Sequence, residues 1–307
     1  MTLRPLDIRA ALTADLPPID FVLPGLPLGT TGALVAPGGA GKSMLALQTG
    51  VAFAAGLPVA GGLFPAPPSP SPVVVVAAEE RRDLFMHRMQ GVRNLLVSPP
   101  PNLFEEPSVD RDSLVDLLER NLMVLPMAGE DVRIIRGRER TEFFAELVHA
   151  AEGSRLVILD PARRLHDGDE NSTEAMNAVV EAGEFLASRT GAAVLFLHHA
   201  NKYSSMHGMG SEQAASRGSS ALTDGVRWQC NLTPMTKEEA RKRGLESERK
   251  SLVSVDLAKV NYGQAFEGMW LRRGLGGVLS RVELDSENRA WTRKPSTKRW
   301  KEGGGYV

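Results

Sequence analysis

Apolar residues along the chain gather in short runs that alternate with segments of helical spacing. The run Ala33-Leu34-Val35-Ala36 has no polar member and reads as a buried strand. A Gly-rich turn follows, and then Met44, Leu45, Leu47, Val51 and Phe53 recur at helical spacing. VVVVAAEE (73–80) predicts a second buried strand that ends in Glu79 and Glu80, with a charged amphipathic helix behind it to about Leu96. The pattern then predicts a helix near Ser113 to Arg120, a short strand from Leu122 to Pro126 and a helix from Thr141 to Ala151. RLVILD (155–160) is another buried strand, EAMNAVVEAGEFLAS a helix, and AAVLFLHH a third core strand. Such alternation implies right-handed crossovers, hence an α/β fold with a mostly parallel central sheet flanked by helices. Beyond residue 225 the signals shorten to strands at 226–233, 252–260, 268–273 and 278–283, which suggest antiparallel hairpins on one sheet edge.

Proline and glycine divide the chain. Residues 1–28 are Pro-punctuated and read as an N-terminal arm, mostly irregular, with one short helix around Asp7 to Ala14. PAPPSPSP (65–72) and SPPPNLFEEP (98–107) suit neither helix nor sheet and read as exposed connectors. The core is expected over 29–284 and a basic, flexible tail over 285–307. Within that tail RAWTRKPSTKRWK has six basic residues, two tryptophans and no acid, a composition that either stacks on bases or stays solvated.

The turn after the first strand carries the first chemistry. In Pro37-Gly38-Gly39-Ala40-Gly41-Lys42-Ser43 the glycines let backbone N–H groups close around an anion at a helix N-terminus. Lys42 is then placed to meet the outer phosphates and Ser43 to ligate Mg²⁺, with Met44 in the first turn behind them. The GxxxxGK[ST] pattern has Ala36 at its first glycine position. Later strand ends add candidates, because open α/β sheets bind ligands there. Asp160 can join the Mg²⁺ shell, and Glu79 or Glu80 can polarise a water for in-line attack on the γ-phosphate. His198 or His199 can sense that phosphate, since successive strand residues face apart and the two make no chelating pair.

Composition narrows the setting. A net charge of −1 gives no overall pull toward nucleic acid, so such binding must be local. The single cysteine, Cys230, excludes an internal disulfide and fits a reducing cytoplasm. No apolar segment is long enough to span a membrane, and the N-terminus lacks the apolar region of a secretory signal.

The glutamate after the second core strand, the Asp-ended strand and the polar pair ending the next one resemble the RecA-type ATPase core of DnaB-like helicases. More narrowly, PGGAGKSMLALQ, AEE, VILDPARRLH, VLFLHHANK, ASRGSSALTDGVRWQ, AKVNYG and GGVL are similar, in order and spacing, to the RepA-type hexameric replicative helicases of IncQ-like plasmids. The resemblance runs from about Pro18 to Leu279, with residues 99–140 and the tail matching poorly. It favours Glu79 over Glu80 and His199 over His198, and implies a homohexameric ring with ATP between protomers and single-stranded DNA through the centre. ANKYSSMHGMGSEQAASRGSS (200–220) reads as a mobile loop whose Lys202, Ser204, Ser205 and Arg217 can track a phosphate backbone. A ring ATPase also needs a cation supplied in trans. Arg217 is the first candidate and Lys259 the second; DnaB-like proteins carry a lysine and an arginine two apart at the latter place, where this chain has Lys259 and Asn261. Two other functions share the loop: a DNA- or protein-binding ATPase that loads or switches without unwinding, and a small-molecule kinase, for which Arg163-Arg164 would supply the lid.

Overall fold

The computed structural model describes residues 3–98, 110–169, 171–199, 221–263 and 268–284. After the short helix α1 (Ile8–Thr13) come β1 (Phe21–Leu23), β2 (Leu26–Pro27), β3 (Thr31–Ala36), α2 (Lys42–Ala55), β4 (Val73–Ala77), α3 (Arg82–Val97), α4 (Arg111–Asn121) and β5 (Leu122–Pro126). The small hairpin β6 (Ile135–Arg136) and β7 (Glu139–Arg140) precedes α5 (Glu142–Ala150), β8 (Leu156–Asp160), a 3-10 turn (Ala162–Arg164), α6 (Thr173–Thr190) and β9 (Ala193–His199). The last part holds α7 (Ala221–Gly225), β10 (Trp228–Pro234), α8 (Lys237–Arg243), β11 (Leu252–Val260), β12 (Met269–Arg273) and β13 (Leu279–Val282).

A nine-stranded sheet runs in the order β13-β12-β11-β10-β3-β9-β8-β4-β5. From β5 to β10 every neighbouring pair is parallel, while β11, β12 and β13 are antiparallel additions at one edge. The expected hairpins therefore begin one strand later than the sequence pattern suggests. The segment read at 226–233 is β10, a parallel neighbour of β3 in register Trp228↔Gly32 to Asn231↔Val35. Its own apolar residues, with Trp228 and Cys230 at 0% exposure, belong to the central core and not to an edge.

Alternation along each parallel strand feeds two core layers. Leu34, Val73, Val75, Leu156 and Ile158 face the layer with Leu45, Phe53 and Trp228. Ala33, Val35, Val74, Val76, Val157 and Leu159 face the opposite layer with Phe144, Val179 and Leu186. Both faces of a crossover sheet are covered by helices, so its strands must be apolar at every position. Each such valine or leucine contributes about 1.5–3 kcal/mol on burial.

The segment expected to be an arm splits in two. In α1, capped by the Asp7 carboxylate accepting from Ala10 N, nothing is buried. Residues 21–27, by contrast, form a hairpin whose Val22, Leu23 and Leu26 enter the core. Gly25 makes that turn at φ 79°, and a Cβ there would lie 2.5 Å from Val260 Cγ1, so only glycine lets the hairpin seat this closely. Trp228 Nε1 donates to Pro24 O at 2.9 Å and fastens it.

Candidate nucleotide site

At the C-terminal end of β3 the chain turns through Pro37–Gly41 and enters α2 at Lys42. Gly41 adopts φ 102°, and a Cβ there would meet Leu279 Cδ1 at 3.1 Å, so both backbone and neighbour require glycine. Ala40 N donates to Pro37 O at 3.2 Å and Leu45 N to Gly41 O at 2.9 Å. The N–H groups of the first turn of α2 thus have no intrahelical acceptor and, with the helix dipole, favour an anion. Ala36, at the position where the pattern has glycine, is fully buried in the core, so a methyl fits the strand end. Met44 is buried among Leu47, Phe85, Leu95 and Val278; its side chain packs α2 on α3, and only its backbone belongs to the loop. Ser43 follows Lys42 and is half-buried.

The edge strands hold this loop from outside. Gln48 of α2, buried, donates from Nε2 to Leu279 O and accepts at Oε1 from Leu279 N, both at 2.8 Å. Arg273 Nη2 at the end of β12 donates to Gly39 O at 2.7 Å.

The ends of β9, β8 and β4 complete the site, because pairing of these strands with each other and with β3 sets their termini side by side. Ala36 is level with His199, and Ala77 with Asp160. Asp160 Oδ1 lies 3.7 Å from Lys42 Nζ. Lys42 is only 6% exposed. Burial lowers its pKa; Asp160 and Glu79 oppose this, and Arg163 adds to it. Burial first, then the Lys42 and Arg163 charges, lower the His199 pKa to about 4, so its imidazole is neutral near pH 7. His198, one residue back, is almost wholly buried. Glu79 stands among these groups, with Arg163 donating to its Oε1 from Nη2 at 2.5 Å and Nε at 3.1 Å, and Arg164 Nε at 3.2 Å. Glu80 turns to its own helix and pairs with Arg88 at 2.7 Å.

The sequence profile of the AAA domain matches residues 2–205, well over half of the chain. The chain belongs to the AAA domain family. Its fold is that of a RecA-like P-loop ATPase domain. Among solved structures it is similar to the ATPase domain of a phage helicase, with a TM-score of 0.56 over 90% of this chain and 96% of that one at 14% identity. The likeness therefore extends past the profile match into β10–β13, the strands that brace the phosphate loop of this AAA domain.

The donor chemistry of the AAA domain suits Mg²⁺ with ATP. Ser43 offers a hydroxyl and Asp160 a carboxylate, hard oxygen ligands of the type this ion takes. Lys202, Ser204, Ser205 and Arg217 lie outside the described residues. Lys259 does not join the phosphate loop of its own chain: it pairs with Gln229, level with Ala33 near the start of β3, and its Nζ donates to Thr223 O at 3.1 Å and Asp224 O at 2.7 Å. Burial lowers the Lys259 pKa, Asp224 opposes this, and Arg227 adds to it. Sequence reasoning passes over Arg227, although Asn261 signals a missing arginine. Asn261 N donates to Arg227 O at 3.2 Å, so the exposed Arg227 stands across the ladder from the position lacking one, beside Lys259. No helix among the described residues is long and apolar enough to cross a membrane.

Proposed function

We propose that the chain is an ATP-hydrolysing DNA helicase of the RepA type, acting as a homohexameric ring that translocates on single-stranded DNA in the cytoplasm. The observation that carries this reading is the convergence of Lys42, Asp160, His199 and Glu79 at the ends of adjoining strands. Backbone N–H groups of Gly38–Met44 and the Lys42 ammonium hold the phosphates. Bound with ATP through Ser43 and Asp160, Mg²⁺ supplies charge neutralisation. Glu79 orients the attacking water and accepts its proton. Neutral His199 donates a hydrogen bond to the γ-phosphate, reporting its presence to the segment that follows β9. Arg217, or Lys259 together with Arg227, provides the cation from a neighbouring protomer, and residues 200–220 track the DNA backbone with Lys202, Ser204 and Ser205.

The test combines ATP turnover with and without single-stranded DNA, strand displacement on a tailed duplex, and molecular mass in solution with Mg-ATP. Stimulation, displacement and a six-fold protomer mass are expected. Stimulation without displacement supports a loader or switch, and turnover of a small-molecule acceptor without DNA stimulation supports a kinase.

A further inference from the structure

The pairing of Glu79 with Arg163 and Arg164 does more than neutralise charge. All three N–H donors converge on one carboxylate oxygen, Oε1, at 2.5, 3.1 and 3.2 Å. An oxygen so filled has no lone pair left for a water, and two guanidinium charges hold the carboxylate ionised and weaken it as a proton acceptor. The donors are firmly based. Their 3-10 turn follows Asp160 directly, and its flanking Ala162 and Leu165 are both at 0% exposure. The two arginines are not equivalent, however. Arg163 acts electrostatically on both Lys42 and His199, which places it on the phosphate side of the site. Arg164 has 57% of its side chain exposed and touches the site only through Glu79.

We infer that Arg163 and Arg164 form a clamp that withholds the Glu79 carboxylate from the attacking water, and that hydrolysis proceeds when the γ-phosphate draws the Arg163 fork away from Oε1. The phosphate is the natural competitor, because a guanidinium binds phosphate and carboxylate oxygens with the same fork geometry. Arg164 then remains as the weaker restraint. It is a positioning residue: it acts on the reaction through Glu79 and not by touching the nucleotide. The inference rests on the reading of Glu79 as the water-orienting group and adds a brake to it.

Arg164→Ala is the discriminating substitution, since Arg163→Ala also alters the field at Lys42 and His199. Steady-state ATP hydrolysis of the full chain without DNA should rise, with kcat about two- to fivefold higher, the factor that an exposed ion pair of this kind commands. KM for ATP should not change. Arg164→Lys, which keeps the charge but lacks Nε, should fall between the two. A rise in kcat separates a brake from a structural part, because damage to the fold lowers turnover. If Arg164→Ala leaves kcat unchanged or lowers it, the arginines hold Glu79 in place for catalysis and the clamp is refuted. Glu79→Gln, measured alongside, separates the two readings: if it still turns over, the role of Glu79 fails, and if it is inactive while Arg164→Ala shows no gain, only the clamp fails.

Discussion

Gln48→Met tests whether the edge strands truly brace the phosphate loop. The two side chains have nearly the same length and volume, so packing is conserved while both amide contacts to Leu279 vanish. Gln48 is 4% exposed and Leu279 0%, which leaves the Leu279 N–H and C=O unpaired away from water. Each such group costs about 1–3 kcal/mol, so about 2–5 kcal/mol is expected for the pair. For a domain of this size that corresponds to a Tm lowered by roughly 5–15 °C. Thr49→Val is the matched control, since Thr49 Oγ1 only donates to Leu45 O within its own helix; its change should stay under about 1 kcal/mol. Calorimetric unfolding of the three proteins provides the comparison. Because Arg273 reaches Gly39 O from the same hairpin, the Gln48→Met protein should also bind ATP more weakly. A Tm within about 2 °C of the parent would refute the brace.

Further expectations concern charge and assembly. The His199 pKa, lowered to about 4 from an ordinary 6.5, means the folded chain binds fewer protons there than the unfolded one. Its stabilising effect is present above pH 6.5 and lost as pH falls toward 4, by no more than about 3 kcal/mol, and His199→Gln should flatten that limb in urea titrations. Rings mixed from Lys42→Ala protomers and Arg217→Ala protomers should regain hydrolysis where an intact loop meets an intact finger; recovery with Lys259→Ala or Arg227→Ala protomers instead assigns the finger to the β10–β11 ladder. Deleting residues 1–16 should weaken the oligomer in sedimentation yet leave the Tm of the isolated protomer unchanged, because Leu6, Ile8, Leu12 and Leu16 are all more than half exposed and bury nothing in their own chain.

How far the chain is legible depends on the strength of each local signal. Strands buried on both faces, such as Val73–Ala77 and Leu156–Asp160, stand out as unbroken apolar runs, and α6 stands out by its long stripe. The β1–β2 and β6–β7 hairpins escape because strands of two or three residues are too short to show a period. KEEARKR in α8 has a single apolar residue buried, Ala240, so only its Thr236/Glu239 capping box could announce it. For the site, the loop and the acids at strand ends are local features and are readable. The contact of Glu79 with Arg163, 84 residues away, is made by sheet order and has no local trace. The same holds for the placing of Arg227 opposite Asn261, which needs the β10–β11 register.

The central claim is that Glu79 orients the water attacking ATP held by Lys42. Its most direct measurement is ATP binding and single-turnover hydrolysis of Glu79→Gln beside Glu80→Gln. The glutamine keeps the shape of the side chain and removes the proton acceptor. Glu79→Gln should bind ATP as the parent does and release almost no ADP, while Glu80→Gln, whose parent carboxylate pairs with Arg88, should hydrolyse at close to the parent rate. Hydrolysis retained by Glu79→Gln and lost by Glu80→Gln would contradict the account.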